Sequence, residues 1–145
     1  MGKQMGLIGL LMVVVCLSFA ASSLEARRYI VGGDFGWGIP PNQTFYSDWA
    51  SNKTFLVGDK LVFNWTGNQD VADVRKEDYN NCTTPNTIIF TGGPNMTVFI
   101  FILVIPGPHY YISTIDDNCE KGQKFSIDVK WPFSTYAPPP TPTTP

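Results

Sequence analysis

The chain has 145 residues, a formal charge of −2 and a sequence pI of about 5.2. Its only adjacent basic pairs are Arg27-Arg28 and Arg75-Lys76, which excludes the basic face that nucleic-acid binding requires. Aromatic residues make up 14% of the chain, favouring strands over a helical bundle. Both ends differ in character from the middle, which leaves one compact domain of about 100 residues.

The first segment reads as a secretory leader. Lys3 precedes the apolar run Leu7 to Ala20, and the small residues Ala20-Ala21-Ser22-Ser23 and Ala26 follow. The run is roughly 14 residues, short of the ~20 that span a bilayer. Residues 1–26 are therefore expected to be removed, with the mature chain starting around Arg27. Cys16 leaves with them. Cys82 and Cys119 remain, an even number in an oxidising compartment, and are expected to form one disulfide. Neither has a CxxC partner or a histidine nearby, which disfavours a reactive thiol.

Residues 29–131 read as short strands separated by Gly and Pro turns. Tyr29-Ile30-Val31 stops at Gly32-Gly33. Thr54 to Val57 ends at the turn Gly58-Asp59, and Lys60 to Trp65 follows. A short polar stretch between Val71 and Tyr79 is the one plausible helix; the carboxylates Asp70 and Asp73, three residues apart, read as a solvated face. Thr87 to Phe90 leads into Thr91-Gly92-Gly93-Pro94. Met96 to Ile105 is nearly all apolar but too short to span a membrane, so a central strand covered on both faces is expected. His109 to Ser113 and Lys124 to Val129 complete the set. In the latter, Phe125, Ile127 and Val129 alternate onto one face. This pattern means a sandwich or barrel. The tail, residues 132–145, ends in the Pro/Thr-rich run Ala137 to Pro145, which cannot build a core and reads as extended.

Five N-glycosylation sequons begin at Asn42, Asn52, Asn64, Asn81 and Asn95, none with proline in the middle. Asn42, Asn52 and Asn95 adjoin turns. Asn64 lies in a strand and Asn81 adjoins a cysteine.

The order of motifs resembles the phytocyanins, the plant cupredoxins that include stellacyanin-like, uclacyanin-like and early nodulin-like proteins. The carriers are Val31-Gly32-Gly33-Asp34-Phe35-Gly36-Trp37, Tyr46-Ser47-Asp48-Trp49-Ala50 and Phe55 to Phe63. Gly67 to Val74 with Tyr79 and Cys82 come next, and Tyr110-Tyr111-Ile112-Ser113 and Cys119-Glu120-Lys121-Gly122-Gln123-Lys124 close the series. The resemblance implies an all-β, cupredoxin-like Greek-key β-sandwich of about seven or eight strands with one short helix.

Copper members hold the metal with two His, one Cys thiolate and an axial Met or Gln. Carried over position by position, the first histidine falls on Gln69, the cysteine on Ser113, the second histidine on Asn118 and the axial residue on Gln123. Only Gln123 is a known ligand type, as in stellacyanin-like members. The resemblance thus implies a degenerate copper pocket and no cofactor. His109, the single histidine, lies outside that set and reads as a rim residue. Asp116, Asp117 and Glu120 read as a solvated loop face, and no catalytic set surrounds any nucleophile.

Leader, sequons and altered copper positions together imply a secreted, non-catalytic, monomeric glycoprotein of the cell wall or plasma-membrane surface, taking glycan or protein partners. An electron carrier of the blue-copper type is the alternative. The chain ends without the small residues, spacer and apolar tail of a GPI signal, so free secretion or a fragment is expected.

Overall fold

The computed structural model describes residues 25–133; the expected leader cleavage and the Pro/Thr-rich run lie outside them. Eight strands occur among the described residues. They are β1 (Arg28–Ile30), β2 (Phe55–Leu56), β3 (Lys60–Asn64), β4 (Gln69–Val74), β5 (Thr87–Gly93), β6 (Val98–Ile102), β7 (Gly107–Ile112) and β8 (Lys124–Lys130). They form a three-stranded sheet, β1-β3-β6, and a five-stranded sheet, β2-β8-β7-β4-β5. This is the two-sheet sandwich with eight strands that the resemblance implies. Among the described residues no helix is long and apolar enough to cross a membrane.

Alternation places the core. On β8, Phe125, Ile127 and Val129 point inward while Ser126 and Asp128 face water. On β3, Leu61 and Phe63 do the same from the facing sheet. Trp37, Tyr46, Phe63, Tyr111 and Phe125 meet between the sheets with ring centroids 4.8–6.3 Å apart, the spacing aromatic pairs favour.

The polar stretch expected to be helical between Val71 and Tyr79 divides. Its first part is strand β4, paired with both β5 and β7, and the helix is α2 (Lys76–Asn81). Asp70 and Asp73 are buried, not solvated, because each meets polar partners inside the sandwich. A second helix, α1 (Phe45–Ser51), buries Tyr46 and Ala50 at an i, i+4 spacing and packs on β8. Met96 to Ile105 is also not a central strand. β6 is the edge of its sheet, with Phe101 inside and Val98, Ile100 and Ile102 exposed.

Cys82 and Cys119 form a disulfide with Cα atoms 5.7 Å apart. It ties the end of α2 to the loop between β7 and β8, over a small cluster of Ala72, Val74 and Ile112. Asp59 caps the opposite end of the domain. Its buried carboxylate accepts the backbone N–H groups of Arg27 at 2.8 Å and Leu56 at 2.9 Å.

Candidate functional site

Four segments converge at one end of the sandwich. Gln69 opens β4, Ser113 follows the last residue of β7, Asn118 precedes the disulfide cysteine, and Gln123 precedes β8. The β7–β8 loop is a folded unit that fixes the last three. Ser113 N–H donates to Gln123 C=O at 3.0 Å, Gln123 N–H to Asn118 C=O at 2.9 Å, and Asn118 N–H to Ile115 C=O at 3.0 Å. Asp116 takes a left-handed conformation in the turn (φ 45°), which Asp tolerates better than most residues.

Three of the four side chains are hydrogen-bonded, two of them to each other and one to Asp70. Gln123 Nε2 donates to Gln69 Oε1 at 3.0 Å. Ser113 Oγ donates to Asp70 Oδ1 at 2.9 Å, and Thr114 donates to the same carboxylate from its backbone N–H at 2.9 Å and from its hydroxyl. Trp37 Nε1 donates to the Asp70 carbonyl at 2.7 Å, pinning this part of β4 to the aromatic core. Gly92 pairs with Asp70 in the sheet. A Cβ there would lie 2.4 Å from the Asp70 Cβ, so the close approach requires glycine. Ser113, Asn118 and Gln123 are all buried, and Gln123 Oε1 is the one buried oxygen of the set without a partner.

Asp70 is the residue that sequence reasoning misses. It is the acceptor at the centre of the site, and the available signal is its place beside Gln69 opposite the Ser113-Thr114 pair. The donor set does not fit copper. It offers two amides at the imidazole positions and a hydroxyl, already committed to a carboxylate, at the thiolate position. Among the described residues, no group of three or more His, Cys, Asp or Glu could hold a metal ion. Asp116, Asp117 and Glu120 are exposed as expected, with Asp117 2.9 Å from Lys121 across one helical spacing. That hydrogen bond holds the Asp117 carboxyl below its usual range. So exposed a pair contributes little to stability.

His109 is not a rim residue. Its ring is mostly buried, with Nδ1 3.2 Å from Asp73 Oδ2 and Nε2 2.8 Å from the Ile105 carbonyl. Both nitrogens face acceptors, so the imidazolium satisfies both. The Asp73 hydrogen bond raises the His109 pKa above 6.5, burial opposes it, and the Ile105 carbonyl adds to the rise. The folded state therefore binds the proton more tightly than the unfolded chain. The pair's contribution is full below about pH 6.5 and is lost as pH rises through the folded-state pKa. Thermal melts from about pH 5 to pH 9 should show this decline, and His109→Gln should flatten it. An unchanged slope in that variant would refute the assignment.

Beside Gln69 lies an open groove of about 570 Å³, lined among others by Phe35, Trp37, Asn64 and Trp65. Half of Phe35 is exposed, and the Trp65 indole N–H is buried without a partner. All five sequon asparagines are exposed, including Asn64 and Asn81.

The fold defines a cupredoxin-type domain, with amides and a hydroxyl at the positions where the motif resemblance would put the metal ligands. Residues 37–123 match the family pattern of the plastocyanin-like domain. The chain is 40% identical over 114 residues to a blue copper protein of Arabidopsis thaliana, covering 78% of this chain and 57% of that protein. It is 38% identical over 134 residues to early nodulin-like protein 14 of the same plant, covering 89% of this chain and 71% of the other. Among solved structures, cucumber stellacyanin in its Cu2+ form superposes with a TM-score of 0.65 at 32% identity, over 74% of this chain and 98% of that one. The chain belongs to the plastocyanin-like, or phytocyanin, family. It spans little more than half the length of the Arabidopsis blue copper protein it matches.

Proposed function

We propose that this chain is a secreted, non-catalytic glycoprotein of the extracellular surface that binds a saccharide and carries no blue-copper centre. The observation that carries the reading is the mutual satisfaction of Gln69 with Gln123 and of Ser113 with Asp70, where copper members need imidazoles and a thiolate. The neighbouring groove supplies the binding surface. An exposed aromatic ring offers a face for a sugar ring, and Gln69 offers an amide donor and acceptor at its margin. The five exposed sequon asparagines support N-glycosylation and passage through the secretory pathway.

Titration of the purified protein with soluble wall oligosaccharides, followed by tryptophan fluorescence, tests the groove. A saturable change is expected, weakened by about 10-fold or more in Phe35→Ala. Binding unaffected by that substitution, or absent across hexose and pentose oligomers, would rule out the groove as the site. Glycosidase treatment of protein from a eukaryotic host should lower its mass. No shift would remove the glycoprotein assignment.

A further inference from the structure

The two sheets meet at one side of the sandwich, where Tyr29 of β1 packs on Phe55 of β2 with ring centroids 4.8 Å apart. At the other side the outer strands are β5 and β6. A cleft of about 210 Å³ opens there. Its rim is aliphatic. Ile88 and Ile89 come from β5, Ile102 ends β6, and Val104 and Ile105 follow it; all five are 46–65% exposed.

The same cleft is lined by the Asp73–His109 pair. Asp73 follows Val71 by two residues on β4, so the two share a face. Val71 belongs to the core between the sheets, whereas Ala72 and Val74 lie in the small cluster under α2. Asp73 thus lies on the inner face, directly opposite Ile89 of β5. Its side chain is 6% exposed. Oδ2 meets His109 Nδ1 at 3.2 Å, and His109 Nε2 is engaged by the Ile105 carbonyl at 2.8 Å. Asp73 Oδ1 is buried without a partner among the described residues. An acceptor in that state has lost its hydration and gained nothing for it.

The surroundings select the missing donor. Water fits poorly, because a buried water is held by about three polar groups, and His109 and the Ile105 carbonyl are already engaged with each other. An ammonium group also fits poorly. The imidazolium balances the carboxylate, and the lining holds no second acid. What remains is a neutral O–H on an apolar body. A mostly apolar cleft with one polar group to fix orientation is the usual form of a small-molecule site.

We propose that this cleft binds a small aliphatic alcohol, its hydroxyl donating to Asp73 Oδ1 and its hydrocarbon body covering the isoleucine and valine side chains at the mouth. A cavity of about 150 Å³ takes one benzene, so this one takes roughly eight or nine non-hydrogen atoms. The sequons leave the mouth open. Asn64 lies opposite Val98, at the far end of β6 from Ile102, and Asn95 precedes that far end. Asn81 ends α2, which packs on the outer face of the larger sheet. The site is independent of the saccharide groove, which lies at the Gln69 end of β4.

Cyclooctanol and cyclooctanone test the donor directly, because they share a ring and differ in the O–H. Each is titrated into the secreted protein carrying isotope-labelled isoleucine and valine methyl groups, and binding is followed by NMR. Cyclooctanol should give saturable shifts at Ile88, Ile89, Ile102, Val104 and Ile105, and at the ring of His109, the single histidine of the chain. Cyclooctanone should bind about 10-fold more weakly or worse. Ile89→Trp, at a half-exposed position opposite Asp73, fills the mouth and should abolish binding with the far-UV spectrum unchanged. Val98→Trp, at the far end of β6, should leave binding intact. Equal affinity for alcohol and ketone, shifts that spread to Val98 and Ile100, a response that never saturates, or binding that survives Ile89→Trp would each overturn the proposal.

Discussion

Cu(II) added to the mature protein is expected to produce no strong absorption near ~600 nm and no tightly held equimolar copper, because that band needs a sulfur-to-copper charge transfer. Three substitutions restore the donor types: Gln69→His, Ser113→Cys and Asn118→His. These three are not expected to be enough. The Ser113 hydroxyl donates to Asp70 Oδ1 at 2.9 Å. A thiolate in its place would sit against that carboxylate, and two neighbouring negative charges hold the thiol protonated. A fourth change, Asp70→Asn, removes the repulsion and leaves a side chain that can still accept from Thr114. The triple variant should therefore bind copper weakly and show little colour. The quadruple variant should bind it with a visible band, provided mass analysis confirms that the new thiol has not mispaired with Cys82 or Cys119. Gln123 keeps a buried oxygen without a partner, available as the weak axial donor. Full colour in the triple variant would show that Asp70 does not oppose the site, and colour in the wild type would refute the placement of the four positions.

Removing the disulfide has the largest expected effect on stability. Cys82 and Cys119 are separated by 37 residues, and closing a loop of that length restricts the unfolded chain by roughly 3–4 kcal/mol in the chain-entropy model. The native state here depends on the link locally as well. Cys82 sits at the end of α2, where Asp78 is buried and accepts from Thr83 Oγ1 at 2.8 Å and from Asn86 N–H at 2.7 Å. Lys124 donates to the Tyr79 carbonyl at 2.9 Å beside the same bridge. The double variant Cys82→Ala/Cys119→Ala should lose about 3 kcal/mol in urea unfolding and melt about 15 °C lower or more. A loss under about 1 kcal/mol would mean that the Asp78 and Lys124 contacts hold the region without the bridge.

Where hydrophobic alternation is clean, sequence and structure agree. β3 and β8 fall where their patterns place them, and the two cysteines meet. β4 departs from its pattern because Asp70 and Asp73 are polar residues facing inward, and the partners that permit their burial, Ser113, Thr114 and His109, lie 36–44 residues away. No local pattern carries that information. α1 has only seven residues, too few for a helical period to stand out against its aromatic neighbours. β6 departs for the opposite reason. Ten nearly uniform apolar residues carry no alternation, so nothing in them distinguishes a strand buried on both faces from an edge strand with one face bare. Motif order alone assigns the four site positions, and the hydrogen bonds that gather around Asp70 have no signal in the sequence.

The carboxylate of Asp59 gives the beginning of the domain a different meaning. In the unprocessed chain it receives an ordinary peptide N–H from Arg27. Cleavage after Ala26 would turn that same nitrogen into a free α-ammonium, so an amide contact would become an ammonium–carboxylate bond at an almost fully buried acceptor. Charge-assisted bonds of this kind are roughly twice as strong as neutral ones. Export would then act on the fold as well as on location. Proteolytic trimming would lock the first strand onto the sandwich, and a single extra residue left at the start would keep the lock neutral.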